Sequence, residues 1–120
     1  MLPDFTPVTE VAELVRTDLT TGTGAAAQAG DTVTVHYTGA VAATGNVFQS
    51  SKDFGKPISF GLNQVIRGWT EGVPGMKIGG TRRLLIPAAM AYGSTPPYGS
   101  GIPVDAALVF DIELLGIDGK

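Results

Sequence analysis

Apolar residues in this chain recur at every second position in most segments, and at intervals of three and four in only one. That contrast constrains the fold more than any other feature, because period two belongs to strands and period 3.6 to helices. From Asp31 a clean strand opens, in which Val33, Val35 and Tyr37 alternate with Thr34, His36 and Thr38. Residues 57–62 alternate again, with Ile58, Phe60 and Leu62 aligned. In residues 107–115, Leu108, Phe110, Ile112 and Leu114 face one way and Asp111 and Glu113 the other. Residues 47–51 and 81–86 read as shorter strands, and 42–45 as a hairpin connection. A mixed strand-like pattern over residues 11–19 ends at the turn signal Thr21-Gly22-Thr23-Gly24.

The exception is the run Ile66, Trp69, Val73, preceded by Asn63 as the expected N-cap and stopped by Pro74-Gly75. It predicts one short helix of about ten residues. Gly68 and Gly72 lie inside it, each costing about 1 kcal/mol relative to alanine. Their presence predicts a close approach of the helix to a sheet. One short helix among five or six antiparallel strands makes an α+β domain, with the helix covering the single apolar face.

Composition narrows the function. At 120 residues the chain is one domain, read as an arm over residues 1–10, loosely tied and carrying Pro3 and Pro7, followed by a domain over 11–120. Seventeen glycines and eight prolines suit many tight turns. With no cysteine, disulfides, thiolate metal sites and a thiol nucleophile are excluded. Eight scattered basic residues and a net charge of −3 do not make a phosphate-tracking surface, so nucleic acid is not an expected partner. No apolar run approaches the ~18 residues of a membrane span. The opening Met1-Leu2-Pro3-Asp4-Phe5 lacks the basic and apolar regions of a signal peptide. A soluble, cytoplasmic monomer is expected.

Reactive groups are sparse. His36, the only histidine, falls on the strand face opposite Val33, Val35 and Tyr37 and is expected to be solvated. Asp111 and Glu113 are expected to be surface charges. No spacing suggests a Ser-His-Asp arrangement or a metal site, and no cofactor is expected. The aromatics are better placed: Tyr37, Phe48, Trp69, Tyr92 and Phe110 come from three strands, the helix and the start of the irregular loop 94–103. Any one of them alone reads as core. Two phenols on the apolar side, however, each need a partner or an opening to water. A concave apolar pocket with one or two polar handles meets both needs.

Taken in order, several segments resemble the FKBP-type peptidyl-prolyl cis-trans isomerases, or rotamases, of the single-domain bacterial kind. They are Val33-Thr34-Val35-His36-Tyr37-Thr38-Gly39, Phe48-Gln49-Ser50-Ser51, Val65-Ile66-Arg67-Gly68-Trp69 and the run from Gly72 through Val73-Pro74-Gly75 to Gly79. Ile86-Pro87, Ala91-Tyr92-Gly93, Ile102-Pro103 and Leu108-Val109-Phe110-Asp111 continue the match, which covers residues 31–117. The resemblance implies a curved half-barrel sheet wrapped around the helix, with the active cleft between them. It implies catalytic roles for Tyr92, Phe48, Tyr37 and Phe110, with Trp69 as the floor. Substrate contacts would come from Gln49, Ile58, Val65, Ile66 and Ile102. Partners would be proline-containing peptides or unfolded proteins, and macrolide inhibitors.

Two departures stand out. The family commonly carries Asp where this chain has Gln49, which would remove a pocket charge and weaken macrolide binding. The connection over residues 61–64 is also shorter than in the best-known eukaryotic members. A proline-peptide binding module or chaperone with little turnover is the alternative reading.

Overall fold

The computed structural model describes residues 2–119. Six strands form one antiparallel sheet: β1 (Val15–Thr20), β2 (Thr32–Val41), β3 (Val47–Ser50), β4 (Ile58–Gly61), β5 (Thr81–Ile86) and β6 (Leu108–Ile117). Their order is β1-β5-β6-β2-β3, and β4 also pairs with β2. The ten-residue strand β2 is the organising element. One of its edges runs along β6. Its other edge is shared, β4 taking residues 32–35 and β3 taking 38–40. This is the curved, open α+β sheet with one helix that the alternation and the resemblance imply.

The helix α1 (Arg67–Gly72) is six residues long, shorter than expected. Asn63 does not cap it. Residues 61–64 first make a turn, closed by Gln64 N–H donating to Gly61 O at 2.9 Å. Ile66, with φ −58° and ψ 149°, is the true N-cap, and it caps through no side chain. Ile66 and Val73 both flank the helix, so the apolar period outruns the helical backbone. The glycine expectation holds. A Cβ at Gly68 would lie 2.5 Å from the Ile86 side chain, and one at Gly72 would lie 2.8 Å from Leu84. Bare helix backbone therefore rests on the inner face of β5.

Arg82 fixes the other end of α1. It is buried, and donates to Gly72 O at 2.8 Å and to Pro74 O at 3.2 Å while pairing with Asp18 of β1 at 2.6 Å. Carbonyls at a helix C-terminus lack internal partners, and a cation placed there satisfies them. The inner core comprises Val33, Val35, Leu84, Ile86, Leu108, Ile112 and Leu114, all fully buried.

Three local expectations are corrected. β1 starts at Val15 rather than at residue 11, and all six of its residues are exposed. It is an edge strand held by main-chain pairing to β5 and by Arg82, and so carries no apolar face to read. The opening segment is not loose: Leu2 is buried against Ala40 and Val109 on the outer face of the sheet. Arg83 secures it, donating to Pro3 O and Asp4 O at 2.9 and 2.8 Å. Arg83 also binds both carboxylate oxygens of Asp111, at 2.6 and 2.8 Å. Asp111 is therefore a part-buried anchor rather than a free surface charge. No helix among the described residues is long and apolar enough to cross a membrane.

Candidate active site

The mouth of the half-barrel, between α1 and the inner face of the sheet, holds a cavity of about 460 Å³. Its centre is Trp69, carried on α1 and only 4% exposed. Three rings meet it edge to face: Phe60 at 5.2 Å and 72°, Tyr37 at 5.5 Å and 83°, and Phe110 at 5.5 Å and 87°. Phe48 stands against Phe110 at 5.8 Å and 89°. Edge-to-face pairs of this kind are each worth about 0.5–1.5 kcal/mol beyond the area they bury, so the walls are preorganised.

Each ring is placed by a local device. Phe110 lies opposite Gly39 in the β2–β6 register. A Cβ at Gly39 would come 2.7 Å from Phe110 Cε1 and 2.8 Å from Phe48 Cζ. The absent side chain is what lets two rings lie over β2. Tyr92 follows the 3-10 turn Ala88–Met90, and its carbonyl accepts from Thr95 N–H at 3.0 Å. Asp105 N–H donates to Gly93 O at 2.8 Å and draws the ends of the irregular loop together.

Tyr37 is held by a substitute for a strand. After Ser50 the chain leaves β2 and returns only at Ile58, so the main chain of Tyr37 has no strand beside it on that edge. Ser51, fully buried, fills the gap. Its hydroxyl accepts from Tyr37 N–H at 2.8 Å and donates to Tyr37 O at 3.3 Å. His36 Nδ1 lies 2.9 Å from the Ser51 hydroxyl oxygen. A hydroxyl gives one proton and accepts two, so a proton on Nδ1 donated to Ser51 completes the set. His36 is thus half-buried and hydrogen-bonded, which corrects the solvated histidine expected from the sequence.

None of the described side chains lining the cavity is charged. Its polar groups are the amides of Gln49 and Gln64 and the phenols of Tyr37 and Tyr92, with Val65 and Ile66 completing the lining at the start of α1. The Tyr37 phenol is pushed above its ordinary pKa, first by burial and second by the neighbouring Tyr92. It stays neutral and keeps its proton at physiological pH.

Of the ten residues singled out in the sequence, eight line this cavity: Tyr37, Phe48, Gln49, Val65, Ile66, Trp69, Tyr92 and Phe110. Ile58 and Ile102 do not. Ile58 packs against the core from β4, and Ile102 is itself a buried core residue. Phe60 and Gln64 line the cavity and were not anticipated. Phe60 had a readable signal, since it shares the inward face of its strand with Ile58 and Leu62. Gln64 had none.

Comparison with known proteins places this architecture. Residues 24–115 match the family of FKBP-type peptidyl-prolyl cis-trans isomerases. The FK506-binding protein of Streptomyces anulatus is 43% identical over 116 residues, covering 95% of this chain and 94% of that one. A crystal structure of a peptidyl-prolyl cis-trans isomerase from Pseudomonas syringae superposes with a TM-score of 0.78 at 37% identity, covering 90% of this chain and 78% of that one. The crystal structure of FkpA from Escherichia coli gives a TM-score of 0.78 at 44% identity, covering 87% of this chain and 47% of that longer protein. With a curved sheet, one short helix and a ring-lined mouth between them, this chain belongs to the FKBP-type peptidyl-prolyl cis-trans isomerase family.

Proposed function

We propose that the Trp69 cavity receives the proline ring of a flexible polypeptide and accelerates rotation about the preceding bond. One observation carries this reading: an open, preformed cavity lined by six aromatic rings and, among the described residues, by no charged side chain. Rotation of an X–Pro bond makes and breaks no covalent bond, so no nucleophile, metal or acid–base pair is needed. Its uncatalysed barrier is about 18–20 kcal/mol, and the lifetime tens to hundreds of seconds. The planar amide is strongly dipolar and well solvated. The twisted amide has lost resonance and is less dipolar. Transfer into an apolar cleft therefore raises the planar form relative to the twisted one, and each ~1.4 kcal/mol so gained is tenfold in rate.

In this scheme Trp69 is the floor, and Tyr37, Phe48, Phe60 and Phe110 exclude water. The Tyr92 hydroxyl donates to a substrate carbonyl. The Ile66 main chain, ahead of the internal ladder of α1, offers an N–H to the bound chain. Gln49 is exposed on the rim and brings an amide where the family commonly places a carboxylate. We propose that it weakens macrolide binding, because the rim then lacks a fixed negative charge.

The deciding measurement is the cis-to-trans half-life of a short Leu-Pro or Phe-Pro peptide at nanomolar to micromolar protein. Shortening of that half-life supports turnover, and Tyr92→Phe should reduce the effect by up to about tenfold, since the hydroxyl orients the bound chain and no charge builds up on the carbonyl for it to stabilise. Binding of the peptide, seen as a change in Trp69 fluorescence with no change in half-life, would instead establish a binding module.

A further inference from the structure

A second groove, of about 400 Å³, lies beside the catalytic cavity and shares Phe48 with it. One bank is the β2–β3 turn, with Thr44, Asn46 and Val47. The other is the tip of the irregular loop, with Ser100, Gly101 and Pro103. Every described residue lining it is uncharged. Val47 is 41% exposed, an apolar side chain left facing solvent on an edge strand. Gly99 and Gly101 have φ of +76° and +78°, and a Cβ on either would meet nothing within 4 Å. The loop therefore presents bare main chain that an extended peptide can approach closely.

We infer that this groove is a subsite for the substrate polypeptide itself, taking an apolar side chain a short distance from the proline. The inference rests on the isomerase reading of the cavity. Continuity argues for this occupant: Phe48 forms a wall of both hollows, so a chain leaving the cavity on that side enters the groove directly. An extended chain advances about 3.3–3.6 Å per residue, and crossing one ring carries it about two residues. The absence of charge selects apolar over acidic or basic side chains there. Selectivity for an apolar residue beyond the X–Pro pair directs the enzyme to segments that are buried once folding is complete.

The test uses the intact protein and two sets of proline peptides. One set is short and ends at the residues flanking X–Pro. The other is longer, with leucine or aspartate scanned one to four positions away on either side. The expected result is a kcat/KM on the order of tenfold higher for leucine than for aspartate, at about two residues from proline and on one side only. In Val47→Asp that ratio should fall to about one. Val47→Ala should give an intermediate ratio, and thermal melts of both variants confirm that they fold. Equal kcat/KM for leucine and aspartate at every position, or an undiminished ratio in Val47→Asp, overturns the proposal. So does association of the protein with itself that Val47→Asp abolishes, because the groove then belongs to a second copy. If the short peptides are not turned over, the isomerase reading fails separately. The Trp69 fluorescence titration then gives the leucine preference as a ratio of affinities, with the same two outcomes.

Discussion

Substituting Gly39 by alanine should separate catalysis from stability. The added Cβ would sit 2.7 Å from Phe110 Cε1 and 2.8 Å from Phe48 Cζ, against 3.4–4 Å for ordinary contact. Each ring must therefore withdraw by at least 0.6–0.7 Å, the difference between 3.4 Å and those distances. The two are not equally free to do so. Phe48 stands half-buried at the rim and can swing outward, whereas Phe110 is 5% exposed and wedged between Trp69 and Tyr37. Overpacking of this kind costs about 1–3 kcal/mol, and about 3–6 °C of melting temperature per kcal/mol in a domain of this size. The catalytic loss should be larger in proportion, because a wall displaced by roughly 1 Å can cost on the order of 10²-fold. The assay is kcat/KM on a short proline peptide, with thermal melts in parallel. Adding Phe48→Leu to Gly39→Ala should recover much of the melting temperature without restoring the rate. A Gly39→Ala protein with wild-type kcat/KM and melting temperature would refute the claim that this glycine makes room for the cleft.

Two further outcomes follow from the hydrogen bonds. Ser51→Ala should lower stability by about 1–3 kcal/mol in urea unfolding, because it leaves the Tyr37 N–H buried without an acceptor; an unchanged midpoint would show that water or a shifted chain replaces the hydroxyl. Asp18 has its pKa lowered below 3.8, chiefly by the hydrogen bond from Arg82. A carboxyl with a depressed folded pKa adds stability above its unfolded pKa and loses it as pH falls through the folded value. Wild type should therefore exceed Asp18→Asn in stability above about pH 4, and the difference should shrink as pH falls below that. The difference will be small, since the Asp18 side chain is 48% exposed; parallel curves would remove Asp18 from the linkage.

The sheet was legible wherever one face is buried. In β2 and β6 alternate residues enter the core, and their hydrophobic pattern marks them directly. β1 was misjudged in extent because main-chain pairing leaves no period to read. The helix was overestimated because Ile66 and Val73 keep the helical spacing from positions outside it. In the site, the residues singled out in the sequence that line the cavity belong to contiguous motifs. Ile58, Phe60 and Leu62 share one face yet have three fates: packed on the core, lining the cavity and fully buried. Position along the chain distinguishes them, Leu62 lying past the end of β4. The His36–Ser51–Tyr37 hydrogen bonds depend on the chain leaving the sheet after Ser50, which no local spacing signals.

The position of β6 governs how this protein can be made. β6 lies between β2 and β5, so the unit β1–β5 and the unit β2–β3–β4 have no ladder between them until it inserts. Val15 pairs with Leu85, and Val41 with Leu108. At ribosomal speeds of about 5–20 residues per second, residues 15–20 wait roughly 3–14 s for their neighbours to be synthesised. Residues 81–86 then wait a further interval of roughly 1–6 s for β6, and until it arrives β2 and β5 lack the strand that joins them. Closure of the sheet is therefore a late event in synthesis, and the nascent chain is an open, chaperone-accessible species until residues 108–117 emerge.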